Sequence, residues 1–122
     1  MRQELDLHTV SPLTLAFLGD GVYGLLVREY LVAQGNRPAG ELHRASVELV
    51  RAETQAAAIK RMLPLLTEEE AAVFKRGRNA HTSRSGSDYH HATGLEALFG
   101  YLYLKGDEER LQVLFAAAMA EE

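Results

Sequence analysis

Leu15-Ala16-Phe17-Leu18-Gly19-Asp20-Gly21-Val22-Tyr23-Gly24 lies inside an apolar run that opens at Ser11-Pro12 and lasts to about Leu31. Serine then proline is an N-cap and first-turn pair. The hydroxyl accepts from a first-turn N–H, and proline presets φ at a position where its missing N–H is no loss. Gly35 supplies the stop. The stretch therefore predicts one long helix, and it is an unusual one. Three glycines and one aspartate interrupt its apolar face, and each glycine costs a helix up to about 1 kcal/mol relative to alanine. Such residues imply close approach or an unusual backbone shape.

Outward from this run almost everything reads as helix. Pro38 opens a second helical region with Leu42, Ala45 and Leu49 at helical spacing, and Ala-rich sequence continues to Met62 as one helix or two. Thr67 with Glu70 three positions on is a capping box for a short helix to about Arg78. The polar stretch Asn79 to Ser87 reads as an exposed loop. From about Asp88 a helix carries Leu95, Leu98 and Leu102 on one face and ends near Gly106, and Asp107 caps a last helix through Met119. Strand-type alternation is absent, so an all-α compact helical bundle is expected. With 122 residues and no linker or repeat, residues 1–122 are expected to form a single domain.

Composition removes several classes of function. Cysteine is absent, which excludes disulfides, thiolate metal sites and thiol nucleophiles, so a metal would sit on carboxylates, histidines or water. Arg2, Glu4, Asp6 and His8 precede any apolar run, unlike a signal peptide. No stretch reaches the roughly 20 apolar residues of a membrane span. The net charge of −4 taken alone argues against a nucleic-acid partner, yet Lys75, Arg76, Arg78 and Arg84 cluster against only Asp88. Lys75-Arg76-Gly77-Arg78-Asn79 is a helix end able to grip phosphates, with arginine as fork donor and asparagine reaching a sugar hydroxyl. The same bases would also complement a helix dipole.

Glu96 is the single charge in Ala92-Thr93-Gly94-Leu95-Glu96-Ala97-Leu98-Phe99-Gly100-Tyr101, as Asp20 is in its own run. Small residues one turn away on either side, Ala16 and Gly24 for Asp20, Ala92 and Gly100 for Glu96, leave space for a hydrated cation and a phosphate. Two structural alternatives stand beside this. Asp20 could cap a helix broken at Gly19, and Glu96 could pair with Arg28 or Arg51.

Taken in order, Leu15 to Tyr23, Arg76-Gly77-Arg78-Asn79-Ala80 and Tyr89 through Leu104 resemble Mini-ribonuclease III, the ribonuclease III catalytic domain without a double-stranded-RNA-binding domain. Leu42-His43, Gln55 and Leu66 to Glu70 fit the same pattern, so the likeness spans nearly the whole chain. The resemblance implies the helical bundle of the ribonuclease III catalytic domain, acting as a cytoplasmic homodimer. It implies magnesium-dependent cleavage of double-stranded RNA to 5′-phosphate and 3′-hydroxyl ends, with the large-subunit (23S) ribosomal RNA precursor as substrate. Asp20 and Glu96 match the catalytic, metal-associated carboxylates. Lys75, Arg76, Arg78 and Asn79, with His81 and Arg84 from the loop, would seat the RNA backbone. Full-length enzymes carry further acids where this chain has Leu13, Ala16 and Thr93, and the Mini group is similar in keeping just the pair. His90 stands where arginine is common, and the segment from Asn79 to Tyr89 is short. The two strands of a duplex call for a two-fold dimer. The self-complementary patch is expected on Ser11 to Val22 with Phe17 prominent, the alternative being that Phe17 is ordinary core. A non-catalytic double-stranded-RNA-binding module of the same fold, or a helical interaction protein in which both acids are structural, are the competing readings.

Overall fold

The computed structural model describes residues 6–80 and 86–120. Among them six helices follow one another with no strand: α1 (Pro12–Ala33), α2 (Ala39–Val50), α3 (Ala52–Met62), α4 (Glu68–Arg78), α5 (Ser87–Lys105) and α6 (Glu108–Met119), with a short 3-10 turn (Leu63–Leu65) after α3. The punctuation read from the sequence is in place. The Ser11 hydroxyl accepts from the Thr14 N–H at 3.2 Å, and Thr67 and Glu70 close a reciprocal capping box. Gly35 and Gly106 take positive φ, 123° and 83°, where a side chain would be strained. The Ala-rich region is two helices, because Arg51 takes an extended backbone, ψ 158°, that ends α2 and starts α3.

α5 is the axis of the bundle, touching α1, α3, α4 and α6. From Ala92 to Leu102 every residue is buried except Glu96, which is half-buried. A helix enclosed on all sides must be apolar all round, and its one charge then sits where the enclosure opens. Tyr23 packs edge-on against Phe99 and Phe115, with centroids 5.1 and 5.6 Å apart, and joins α1 to α5 and α6. Each large side chain enclosed here contributes about 1.5–3 kcal/mol. The Tyr23 hydroxyl is buried with no hydrogen-bond partner among the described residues, and burial pushes its pKa up. At the other end Arg110 of α6 forks onto Glu70 through Nε and Nη2 at 2.7 and 2.8 Å. That contact is the main reason the Glu70 carboxyl titrates below its ordinary value.

Glycines set how closely the helices cross. A Cβ on Gly19 would lie 1.6 Å from the Glu96 carbonyl oxygen, and one on Gly100 2.1 Å from that of Leu15, so α1 and α5 meet backbone to backbone. Gly77 and Gly94 bring α4 and α5 close, their missing Cβ atoms leaving room for the Ala97 and Phe74 side chains. Gly21 faces open space, and Gly24 meets only the Arg28 side chain. The expectation of close approach therefore holds at Gly19 and fails at its two neighbours.

Candidate active site

The α1–α5 crossing places the two carboxylates. Gly19 lies on the Glu96 backbone, so Asp20, the next residue of α1, stands beside the Glu96 side chain. The Asp20 carboxyl and the Gln55 amide of α3 both lie within hydrogen-bonding reach of the Glu96 carboxyl. Burial first, then the Asp20 charge and hydrogen bond, push the Glu96 pKa up to about 7, against the partial relief from Gln55. Asp20 is exposed, so the pair has a half-buried member and an open one.

Both structural alternatives for these acids are overturned. α1 runs unbroken through Gly19, so Asp20 caps nothing. Arg28 donates instead to the Gly24 carbonyl at 3.2 Å, and Arg51 pairs with Glu48 at 3.2 Å and Glu53 at 3.9 Å. The expected open space around the acids is also corrected. Ala16 and Ala92 are buried, Gly100 is filled by the Leu15 backbone, and Gly24 lies under the Arg28 guanidinium.

The donor set suits a hard divalent cation. Two carboxylates converge with no cationic side chain paired to either among the described residues. No cluster of three potential ligands occurs there. Magnesium is often held by one or two carboxylates plus waters and phosphate oxygens. Beside Glu96, Gln55 is buried, its Nε2 donating to the Val50 carbonyl at 2.9 Å, while its Oε1 has no partner among the described residues. An unpaired buried acceptor costs about 1–3 kcal/mol. Water carried in by a hydrated cation would satisfy it.

The basic segment is at the C-terminal end of α4. Lys75, Arg76 and Asn79 are exposed and, with Ser11, Pro12 and Leu13, line an open groove of about 530 Å³. Arg78 is half-buried. Its guanidinium stacks 5.6 Å from the Phe74 ring centroid, and Nε donates to Asn79 Oδ1 at 3.2 Å, so part of its fork is engaged at the helix end. None of these four groups pairs with Asp20 or Glu96. His81 and Arg84 lie outside the described residues. Phe17 is 84% exposed, which excludes the core alternative, and Leu13 one turn before it is 43% exposed.

Two residues, one beside the pair and one further along α1, were missed as site residues by sequence reasoning. Gln55 is the lone amide in the Ala-rich segment, a detectable signal, but its proximity to Glu96 depends on how α3 packs on α5. Arg28 read as a potential core partner and instead lies along the surface of α1.

Residues 13–107 match the model of the Ribonuclease III domain. The chain belongs to the ribonuclease III family. It is 49% identical over 109 residues to a Mini-ribonuclease 3 of a Thermoanaerobacter species, covering 85% of this chain and 77% of that one. It is 45% identical over 120 residues to the Mini-ribonuclease 3 of Brevibacillus brevis, covering 94% and 90%. A crystal structure of a Fusobacterium nucleatum protein superposes with a TM-score of 0.83 at 33% identity, covering 93% of this chain and 91% of that one. This ribonuclease III-type chain is thus an endoribonuclease with an all-helical fold. No helix among its described residues is long and apolar enough to cross a membrane.

Proposed function

We propose that this chain, acting over residues 1–122 as one catalytic domain, is a magnesium-dependent homodimeric endonuclease that cleaves double-stranded RNA to 5′-phosphate and 3′-hydroxyl ends. The observation that carries the reading is the convergence of Asp20 and Glu96 with no cationic partner among the described residues. Two adjacent carboxylates repel each other when both are ionised, so an ion between them is favoured. When bound, magnesium supplies charge stabilisation at the scissile phosphate and eases loss of a proton from the attacking water. Asp20 and Glu96 would hold it, and Gln55 would orient the Glu96 carboxylate. No side-chain nucleophile is required.

Lys75, Arg76, Arg78 and Asn79, joined by His81 and Arg84, hold the RNA backbone and read A-form shape more than sequence. Two strands need two sites, and the exposed Phe17 and Leu13 suit a self-complementary contact about a two-fold axis. The natural substrate proposed is the large-subunit (23S) ribosomal RNA precursor in the cytoplasm, in keeping with the Mini-ribonuclease 3 relatives.

Incubation with a duplex RNA, with and without magnesium, tests this reading. Cleavage only with the ion is expected, and Asp20→Asn or Glu96→Gln should abolish it while helical content and duplex binding persist. A fully active purified variant would refute the assignment. A wild-type chain that retards the duplex but never shortens it would favour a binding module.

A further inference from the structure

Arg28 lies two turns after Asp20 on the same face of α1, with Gly24 between them. Its side chain runs back toward the N-terminus, so that Nη1 reaches the Gly24 carbonyl at 3.2 Å and would stand 3.2 Å from a Cβ placed on Gly24. The guanidinium thus hangs about one helical turn, ~5.4 Å along the axis, from the Asp20 position. Arginine has five N–H donors. The one hydrogen bond Arg28 makes among the described residues uses Nη1 and leaves the side chain exposed.

Arg28 also lines a groove of about 330 Å³ between α1 and α2, together with His43, Ser46 and the apolar Leu31, Val32, Ala39 and Leu42. His43 is exposed, and the buried Ser46 hydroxyl donates to the His43 carbonyl at 2.8 Å, which holds that turn of α2. Ala39 is the first residue of α2, and Pro38 before it provides no side-chain cap, so the positive end of the α2 dipole opens at this groove. A guanidinium, an imidazole and an uncapped helix start face one cleft, with no acidic residue in its lining.

We propose that Arg28 and His43 form a second contact site for the RNA backbone, taking a phosphate on the strand next to the bond cleaved at Asp20 and Glu96. This rests on the endonuclease reading above and adds to it a contact on α1 and α2, beyond the one at the basic end of α4. The guanidinium forks onto two phosphate oxygens and the imidazole N–H reaches a third oxygen or a sugar hydroxyl. Gly24 serves the site by leaving the path along which Arg28 reaches toward Asp20.

The test is binding of a labelled duplex RNA to the full chain in the Glu96→Gln background, in which no cleavage is expected, over a range of salt concentrations. Arg28→Ala should weaken binding about tenfold near 0.1 M salt and flatten the plot of log K against log salt by about one unit. Arg28→Lys should restore the salt slope but not the full affinity, because a point charge replaces a fork. His43→Ala should weaken binding by a smaller factor, and Arg51→Ala, paired with Glu48 and Glu53 away from the groove, should change neither quantity. Unchanged affinity and slope in Arg28→Ala, against a parent that binds duplex RNA, would overturn the inference alone. A parent that binds no duplex at all would overturn the endonuclease reading and this site with it.

Discussion

Replacing Glu96 with glutamine should make the metal-free protein more stable at alkaline pH, although the residue belongs to the proposed site. The Glu96 carboxyl is raised from 4.5, the ordinary value, to about 7, first by burial and then by the charge and hydrogen bond of Asp20. Between those values the folded chain holds a proton that the unfolded chain has released. Stability therefore falls as pH rises through that window and is lowest above it. The displacement corresponds to at most about 3.5 kcal/mol at roughly 1.4 kcal/mol per pH unit. Glu96 is only half-buried and water screens the pair, so ~1–2 kcal/mol is expected. Urea unfolding in a chelator at about pH 5 and about pH 8 measures it. Relative to the parent, Glu96→Gln should gain ~1–2 kcal/mol between the two pH values. Added magnesium should recover the parent at the higher pH and leave the variant unmoved. If parent and variant lose stability in parallel across this range, or if magnesium stabilises both equally, the carboxylates do not burden each other as argued.

Glycine substitutions along α1 should divide sharply. Gly19→Ala forces a methyl group into the Glu96 carbonyl and should cost about 2–4 kcal/mol by urea unfolding. Gly21→Ala meets nothing within 4 Å and should stabilise by about 0.5–1 kcal/mol through helix propensity. Phe17→Asp should shift sedimentation from dimer to monomer at micromolar concentration with the helical spectrum intact, because the ring it replaces is 84% exposed and lies outside the core. Wild-type sedimentation as a monomer would count against the dimer.

Much of the fold was legible because helix ends are written in local chemistry. Ser11-Pro12, the Thr67 and Glu70 box, Asp107 and Gly106 each satisfy or terminate backbone groups within a few residues, and the corresponding helix ends fall where these signals stand. The break at Arg51 was less visible, since an arginine can sit within a helix or take the extended backbone found here. The two acids stood out as single charges in greasy helices, a pattern costly enough to demand an explanation. Their adjacency did not follow from that pattern, because α1 and α5 are joined only through the rest of the chain.

Residue order alone thus determined a succession of helices with local start and stop signals, one helix or two between Pro38 and Met62, and two acids standing as single charges in apolar runs. Tertiary packing decided which glycines mattered and what the acids met. Gly19 and Gly100 let two backbones touch, and that contact brings Asp20 to Glu96 and leaves Arg28 along the open face of α1. The physical reason is range. Caps and periodicity act within a turn or two of helix, whereas the pairing of two carboxylates depends on distances between helices far apart in sequence, set by the packing of every side chain between them.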